Sequence, residues 1–372
     1  MVDREAVLGA LERVQDPELG GNIVELGMVS EVLTGVDGRV EVGIALTIAE
    51  CPLRNQIEGD AKRKVAGIPG VTEVVIRTTA MTKKQRSQLM SVARRRVREN
   101  AEPTQVNPTT RVIAVSSGKG GVGKSTVAVN LAVAISTTGM KVGVLDADIW
   151  GFSIPRMLGV HDRLQASNET GLIEPAEVEG VKVVSSGLII ESEETALMWR
   201  GLMLSKALEQ FLKQVHWGDI DYLIIDMPPG TGDIQMALTR LLPQAEMVVV
   251  TTPQRAAQKV AVRVADMARR SHMPILGVIE NMVGEVFGSG GGAELADSLG
   301  VPLIESIPLD HEVAHGGDEG MPVVGALPDT PAARAFTAAA KTLLELMPPA
   351  ADETCTGRIA KLLAELEGEG AA

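Results

Sequence analysis

The sequence predicts an α/β protein: a mainly parallel, doubly wound sheet that carries a phosphate-binding loop, preceded by a small α+β domain. Three observations predict it. After residue 110, apolar strand-like runs alternate with helical stretches, the pattern of parallel strands covered by helices on both faces. The glycine loop GKGGVGKST at 118–126 falls between one such run and a helical stretch. Ahead of both lies a segment of roughly one hundred residues, an ordinary domain size, with fewer strand runs and its own helical stretches.

In chain order, residues 3–15 place Val7, Ala10, Leu11 and Val14 on one helical stripe. The runs 29–33 and 40–46 read as strands joined by the turn GVDG. ECPLRNQIEGDAKRKVAG reads as a turn into a helix, and 71–77 as a further strand. A basic helix follows Thr82, with Lys83, Lys84, Arg86, Arg94, Arg95, Arg96 and Arg98; a solvated helix face and a nucleic-acid contact are both readings of it. NAEPTQVNPTT has two prolines and no apolar periodicity, so it reads as a linker. The strand runs RVIAVSS, KVGVLDAD, VKVVSSG, DYLIIDM, EMVVVTT, ILGVIEN and PLIESI then build the large sheet. The expected division is 1–98 for the small domain, 99–110 for the linker, 111–347 for the nucleotide domain, and 348–372 for a tail. That tail has Ile359, Leu362, Leu363 and Leu366 on one helical face.

Composition narrows the function classes. Net charge is -13, which argues against a general binder of nucleic acid or anionic membrane. Aromatics are only 2% of residues, leaving few rings for base stacking. No secretory leader and no run of membrane-spanning length is read. The two cysteines, Cys51 and Cys355, lie in unlike contexts, so the expected setting is a reducing cytoplasm.

RVIAVSS, the glycine loop and VAVNLAVAI form strand, loop and helix, the arrangement in which G-x-x-x-x-G-K-[ST] binds triphosphates. Gly118, Gly120, Gly121, Val122 and Gly123 supply backbone N–H groups to phosphate oxygens, aided by the helix N-terminus. Lys124 reaches the β- and γ-phosphates, Ser125 ligates Mg²⁺, and Thr126 opens the helix. Asp226 ends an apolar strand where a metal-side carboxylate belongs. Asp146 and Asp148 end the strand after the loop helix, placed to hold the metal's water shell and orient an attacking water. Lys119 is surplus to one chain's own phosphates. It reads either as a cation lent to a second copy's nucleotide or as an exposed lysine that raises local potential.

KGGVGKST with two lysines resembles the deviant Walker-A loop of the ParA/MinD/nitrogenase-iron-protein class of P-loop NTPases. LDADIWG, MWRGLM, DYLIIDMPPGTGD, TTPQ, IENM and FGSGGGAELA resemble, in order, its Mrp/ApbC branch of iron–sulfur cluster carrier ATPases. The N-terminal unit resembles a small iron–sulfur-assembly domain, with Thr47 and Cys51-Pro52 matching its cysteine motif. The resemblance implies slow ATP hydrolysis by a face-to-face homodimer in which Lys119 reaches the partner's phosphates. It implies ATP and Mg²⁺ as cofactors, Asn281 reading adenine, Pro308 and Asp310 beside the base, and Asp148 orienting water. It also implies an iron–sulfur cluster delivered to apoprotein clients, with no membrane or nucleic-acid partner.

The sequence departs from that branch at one place. Between Met282 and Phe287 the branch carries a longer insert with C-x-x-C, whose thiolates are the soft ligands that clusters select; here the stretch is ENMVGEVFGSGGG. Cys51 is left as a candidate ligand, at a helix start that lowers thiol pKa, or as a small semi-buried residue. A related ATPase switch or scaffold without cluster binding is the alternative reading, and a ParA/MinD-type positioning ATPase a further one. The run GSGGG has no following GK[ST] and reads as a turn into a helix rather than a second phosphate site.

Overall fold

A computed structural model describes residues 2–16, 21–46, 54–82, 85, 89, 102–189, 201–230 and 232–349. Cys51, Cys355, Thr47, most of the basic stretch at 83–98 and the tail beyond residue 349 lie outside the described residues. The chain divides into two units, Met1–Asn100 and Ala101–Ala372.

The first unit holds α1 (Arg4–Leu11), β1 (Val29–Thr34), β2 (Arg39–Leu46), α2 (Arg54–Ala66) and β3 (Glu73–Ala80). Asp3 caps α1 by accepting from the Glu5 N–H, which meets one of the unpaired first-turn donors. The helix is shorter than its apolar stripe: Val14 is buried from a turn beyond its end. β1 and β2 pair antiparallel, whereas β3 adds parallel to β2. The parallel step requires a crossover, and α2 supplies it. Val7, Leu11, Val40, Val42, Ile44 and Ile57 form the core.

The second unit is the predicted parallel sheet. Its strands are β4 (Arg111–Ser117), β5 (Val142–Asp146), β8 (Ala176–Val178), β9 (Val181–Ser185), β10 (Tyr222–Asp226), β11 (Ala245–Thr251), β12 (Ile275–Val283) and β13 (Leu303–Pro308); a separate pair, β6 (Gln165–Ala166) and β7 (Ile173–Glu174), stands apart. The order is β13-β12-β11-β4-β10-β5-β9-β8. Only β8 runs antiparallel to its neighbour. The helices are α3 (Lys124–Ser136), α4 (Ile154–Met157), α5 (Gly201–Gln214), α6 (Asp233–Leu241), α7 (Arg255–Arg270), α8 (Gly291–Leu299), α9 (His311–Glu319), α10 (Val323–Ala326) and α11 (Pro331–Leu346).

Strand alternation divides the core between the two faces. Ile113 and Val115 of β4 pack with Val127, Leu131 and Phe336, and so with α3 and α11. Val112 and Ala114 pack with Leu208, Leu238 and Val264, and so with α5, α6 and α7. From Val127 to Ile135, α3 is buried all round, as a helix wedged between sheet and covering helices must be. None of the helices among the described residues is long and apolar enough to cross a membrane.

Candidate functional site

The strand order brings the chemistry together. β10 inserts between β4 and β5, so Asp226 pairs in register with Val115 on one side and Asp146 on the other. The glycine loop leaves the end of β4 beside Asp226 and turns into α3. Gly123 sits at the helix start with φ of 78°, a left-handed conformation that costs a residue with Cβ. A Cβ there would fall 2.3 Å from the Asn281 amide nitrogen. No side chain among the described residues caps α3, which leaves its first-turn N–H groups to an anion. The Val122 side chain is buried, Gly120 and Gly121 are exposed, and the Thr126 carbonyl accepts from Asn130.

Lys124 is 7% exposed and donates to Asp226 Oδ1 at 2.5 Å. The Ser125 hydroxyl donates to Asp226 Oδ2 at 2.5 Å. Asp148 lies 3.6 Å from the same ammonium. A buried ion pair of this kind is held only where further hydrogen bonds complete it, and Ser125 provides one. Lys119 is exposed. Its carbonyl accepts from the Ser117 hydroxyl, which fixes the backbone of the lip while the ammonium remains outside.

Asp146 is fully buried and committed to its own loop. It accepts from the N–H groups of Asp148, Ser153 and Ile154 and from the Ser185 hydroxyl. Burial first, and then the charge of Asp226, push its pKa up to about 7, against the pull of the Ile154 N–H, Lys124 and the Ser153 N–H. Burial also raises Asp226, with Lys124 and Ser125 pulling it back down. These contacts make Asp146 the anchor of the segment that carries Asp148, and its carboxylate lies in register with Asp226 on the neighbouring strand.

Asn281 donates from Nδ2 to the Val122 carbonyl at 2.9 Å, so the end of β12 is tied to the glycine loop. Pro308 closes β13 opposite Val283. Asp310 accepts from the Glu312 N–H and caps α9. In the run GSGGG the Gly290 and Gly292 N–H groups donate to the Glu280 carboxylate and the Gly288 N–H to the Gly284 carbonyl. Gly284 and Gly288 exchange two backbone hydrogen bonds, at 3.0 and 2.7 Å, and close the segment after Met282 as a tight hairpin. No cysteine lies in it.

Residues that sequence reasoning missed include Ser185, the Ser153 and Ile154 amides around Asp146, and Glu280. Glu280 left one signal: a carboxylate inside the apolar run ILGVIENMV.

A glycine loop between a buried strand and a buried helix, its lysine paired with a strand-end aspartate, defines a P-loop ATPase. The chain belongs to the ParA family of NUBPL iron-transfer P-loop NTPases, whose model matches residues 108–344. A second family model, iron-sulfur cluster assembly protein, matches residues 4–76. The chain is 46% identical over 345 residues to the iron-sulfur cluster carrier protein of Mycobacterium leprae, covering 88% of this chain and 89% of that one. Among solved structures it resembles a nucleotide-binding protein from Archaeoglobus fulgidus in complex with ADP, with 34% identity, a TM-score of 0.51, and coverage of 61% of this chain and 91% of that chain. It also resembles the septum site-determining protein MinD from Pyrococcus horikoshii complexed with Mg-ADP, with 27% identity and a TM-score of 0.51. That match covers 65% of this chain and 98% of MinD.

Proposed function

We propose that the chain binds and slowly hydrolyses ATP as a homodimer, and carries iron–sulfur clusters as cargo to apoprotein clients in the cytoplasm. The observation that carries the nucleotide half is the Lys124–Asp226–Ser125 constellation at the mouth of the glycine loop. The cargo half rests on the family and on the carrier named among its relatives.

The loop N–H groups and Lys124 take the β- and γ-phosphates, Lys124 exchanging Asp226 for phosphate oxygen. Ser125 and Asp226 are the hydroxyl and carboxylate that Mg²⁺ takes in such sites, a hard-oxygen set completed by phosphate and water. When bound, the metal neutralises charge on the phosphates. Asp148, held by the Asp146 loop, orients the attacking water. Asn281 meets the base, with Pro308 and Asp310 beside it, and Lys119 serves the second copy's nucleotide. The proposed division is a small assembly-type domain over 1–98, a linker over 99–110, the ATPase domain over 111–347 and a tail over 348–372.

Among the described residues no three His, Cys, Asp or Glu side chains converge as a metal site, and the hairpin after Met282 holds no thiol. Cys51 and Cys355 are the chain's only thiols, so a thiolate-held cluster must use them. Anaerobic reconstitution with iron and sulfide, followed by absorbance, tests this. A stable chromophore that is lost in Cys51→Ala or Cys355→Ala supports the carrier reading. A colourless protein that still hydrolyses ATP supports the switch or scaffold reading, which the missing C-x-x-C favours.

A further inference from the structure

The end of β12 is strained where it meets the glycine loop. Met282 has φ of 61°, a left-handed conformation that a long side chain rarely adopts and that persists only where its surroundings enforce it. Asn281, one residue earlier, reaches the Val122 carbonyl. Something must hold this pair of residues in place, and the adjacent Glu280 has the contacts to do so.

Glu280 is 1% exposed. Its Oε1 accepts from the Gly292 N–H at 2.9 Å, and its Oε2 accepts from the Gly290 N–H at 3.3 Å and from the Ser306 hydroxyl at 3.0 Å. The first two donors belong to the start of α8, whose positive dipole end favours an anion, and the third lies on β13. The fit is close, because a Cβ on Gly292 would fall 2.4 Å from the Glu280 Cβ. One buried carboxylate thus joins β12, β13 and α8 at the point where the chain bends to meet the glycine loop. An apolar residue there would leave the Gly292 N–H without this acceptor.

We propose that Glu280 is a positioning residue for nucleotide recognition: it clamps the strained Asn281–Met282 step so that the Asn281 amide is presented to the base beside the glycine loop. The inference rests on the reading of Asn281 as the group that meets the base. Glu280 touches no substrate atom. Its effect passes through the placement of its neighbour.

The test is a pair of variants in the full-length chain, with ATP and GTP affinities, kcat and thermal stability measured for each. Glu280→Gln keeps the volume but puts an NH₂ group where Gly290 and Ser306 now find an acceptor. Ser306→Ala removes one donor and leaves the carboxylate intact. Glu280→Gln is expected to weaken ATP binding about tenfold. The ATP-over-GTP preference falls by a similar factor, and kcat is nearly unchanged. Ser306→Ala is expected to move in the same direction by less. Equal loss of ATP and GTP affinity in Glu280→Gln, or a fall in thermal stability with the preference intact, would overturn the proposal and leave Glu280 as a packing tie. Asn281→Ala separates the two levels. If it leaves the base preference unchanged, the reading of Asn281 fails and this inference falls with it. If it changes the preference and Glu280→Gln does not, only the inference fails.

Discussion

Lys124→Ala tests the electrostatics of the site and its function together. The ammonium is 7% exposed and its partner Asp226 is not exposed at all; they meet at 2.5 Å. Removing one member of such a pair strands a buried charge and costs about 3–5 kcal/mol. Here the cost falls at the low end of that range, because the Asp226 pKa is already raised by burial and protonation relieves the stranded charge. A loss of about 3 kcal/mol in a domain of this size lowers the melting temperature by roughly 6–12 °C. The assay is thermal unfolding without nucleotide, then with excess ATP and Mg²⁺. A ligand at one hundred times its Kd stabilises the protein by about 2.7 kcal/mol; wild type is expected to show that shift and Lys124→Ala to show none. Lys119→Ala is the control. Its ammonium is exposed, so the unliganded protein is expected to stay within about 0.5 kcal/mol of wild type. It should keep its nucleotide shift and lose turnover or dimerisation. Equal loss of binding in the two variants, or an unliganded Lys124→Ala as stable as wild type, would refute the assignment of separate roles.

Three further outcomes are expected. Asp146 is raised to about 7, so the folded protein binds a proton that the unfolded chain, with an ordinary carboxylate, releases near pH 4. That contribution is fully present below the unfolded value and is lost as pH rises through about 7. The nucleotide-free protein should therefore be more stable at pH 5.5 than at pH 8, with Asp146→Asn flattening the difference in a denaturant titration. Gln235 is 3% exposed and neither atom of its amide has a hydrogen-bond partner among the described residues; Gln235→Leu should raise stability by about 1–3 kcal/mol in the same titration, and a fall would show that the amide is satisfied in solution. Gly123→Ala forces a Cβ into a left-handed site against Asn281, and should cost roughly 1–3 kcal/mol and abolish ATP binding in an equilibrium titration.

The parts of the site that lie within one stretch of chain were legible in the sequence. The glycine loop is such a part: strand, turn and helix are contiguous, and each glycine and the lysine has a local reason to be there. Asp226 was legible because a carboxylate ending a run as apolar as YLIID has few other uses. The pairing of Asp226 with Asp146 was not legible. It depends on β10 entering between β4 and β5, a crossover that no local pattern records. The bond from Ser185 to Asp146 depends likewise on β9 pairing beside β5, whereas the Ser153 and Ile154 amides reach Asp146 from within its own loop. The large strands were readable from their apolar runs, whereas β6, β7 and β8 are two or three residues long, bury none of their side chains, and are too short to show any periodicity. Asn281 entered through resemblance alone; its contact with Val122 spans 159 positions of sequence.

The register of the strands also explains how the site accommodates two buried carboxylates. Asp146 and Asp226 are direct neighbours on adjacent parallel strands, so two carboxylates lie roughly 5 Å apart at the backbone in a dry interior. Neither is tolerable alone. Asp146 is quieted by three backbone N–H groups and a raised pKa, Asp226 by Lys124 and Ser125. In the proposed reading, nucleotide binding is then an exchange of partners rather than the filling of a vacant charge site. The ammonium that leaves Asp226 for phosphate uncovers a buried carboxylate beside a serine hydroxyl, and that pair needs a new cation. On that reading, the Lys124–Asp226–Ser125 geometry couples the binding of triphosphate to the binding of a divalent metal.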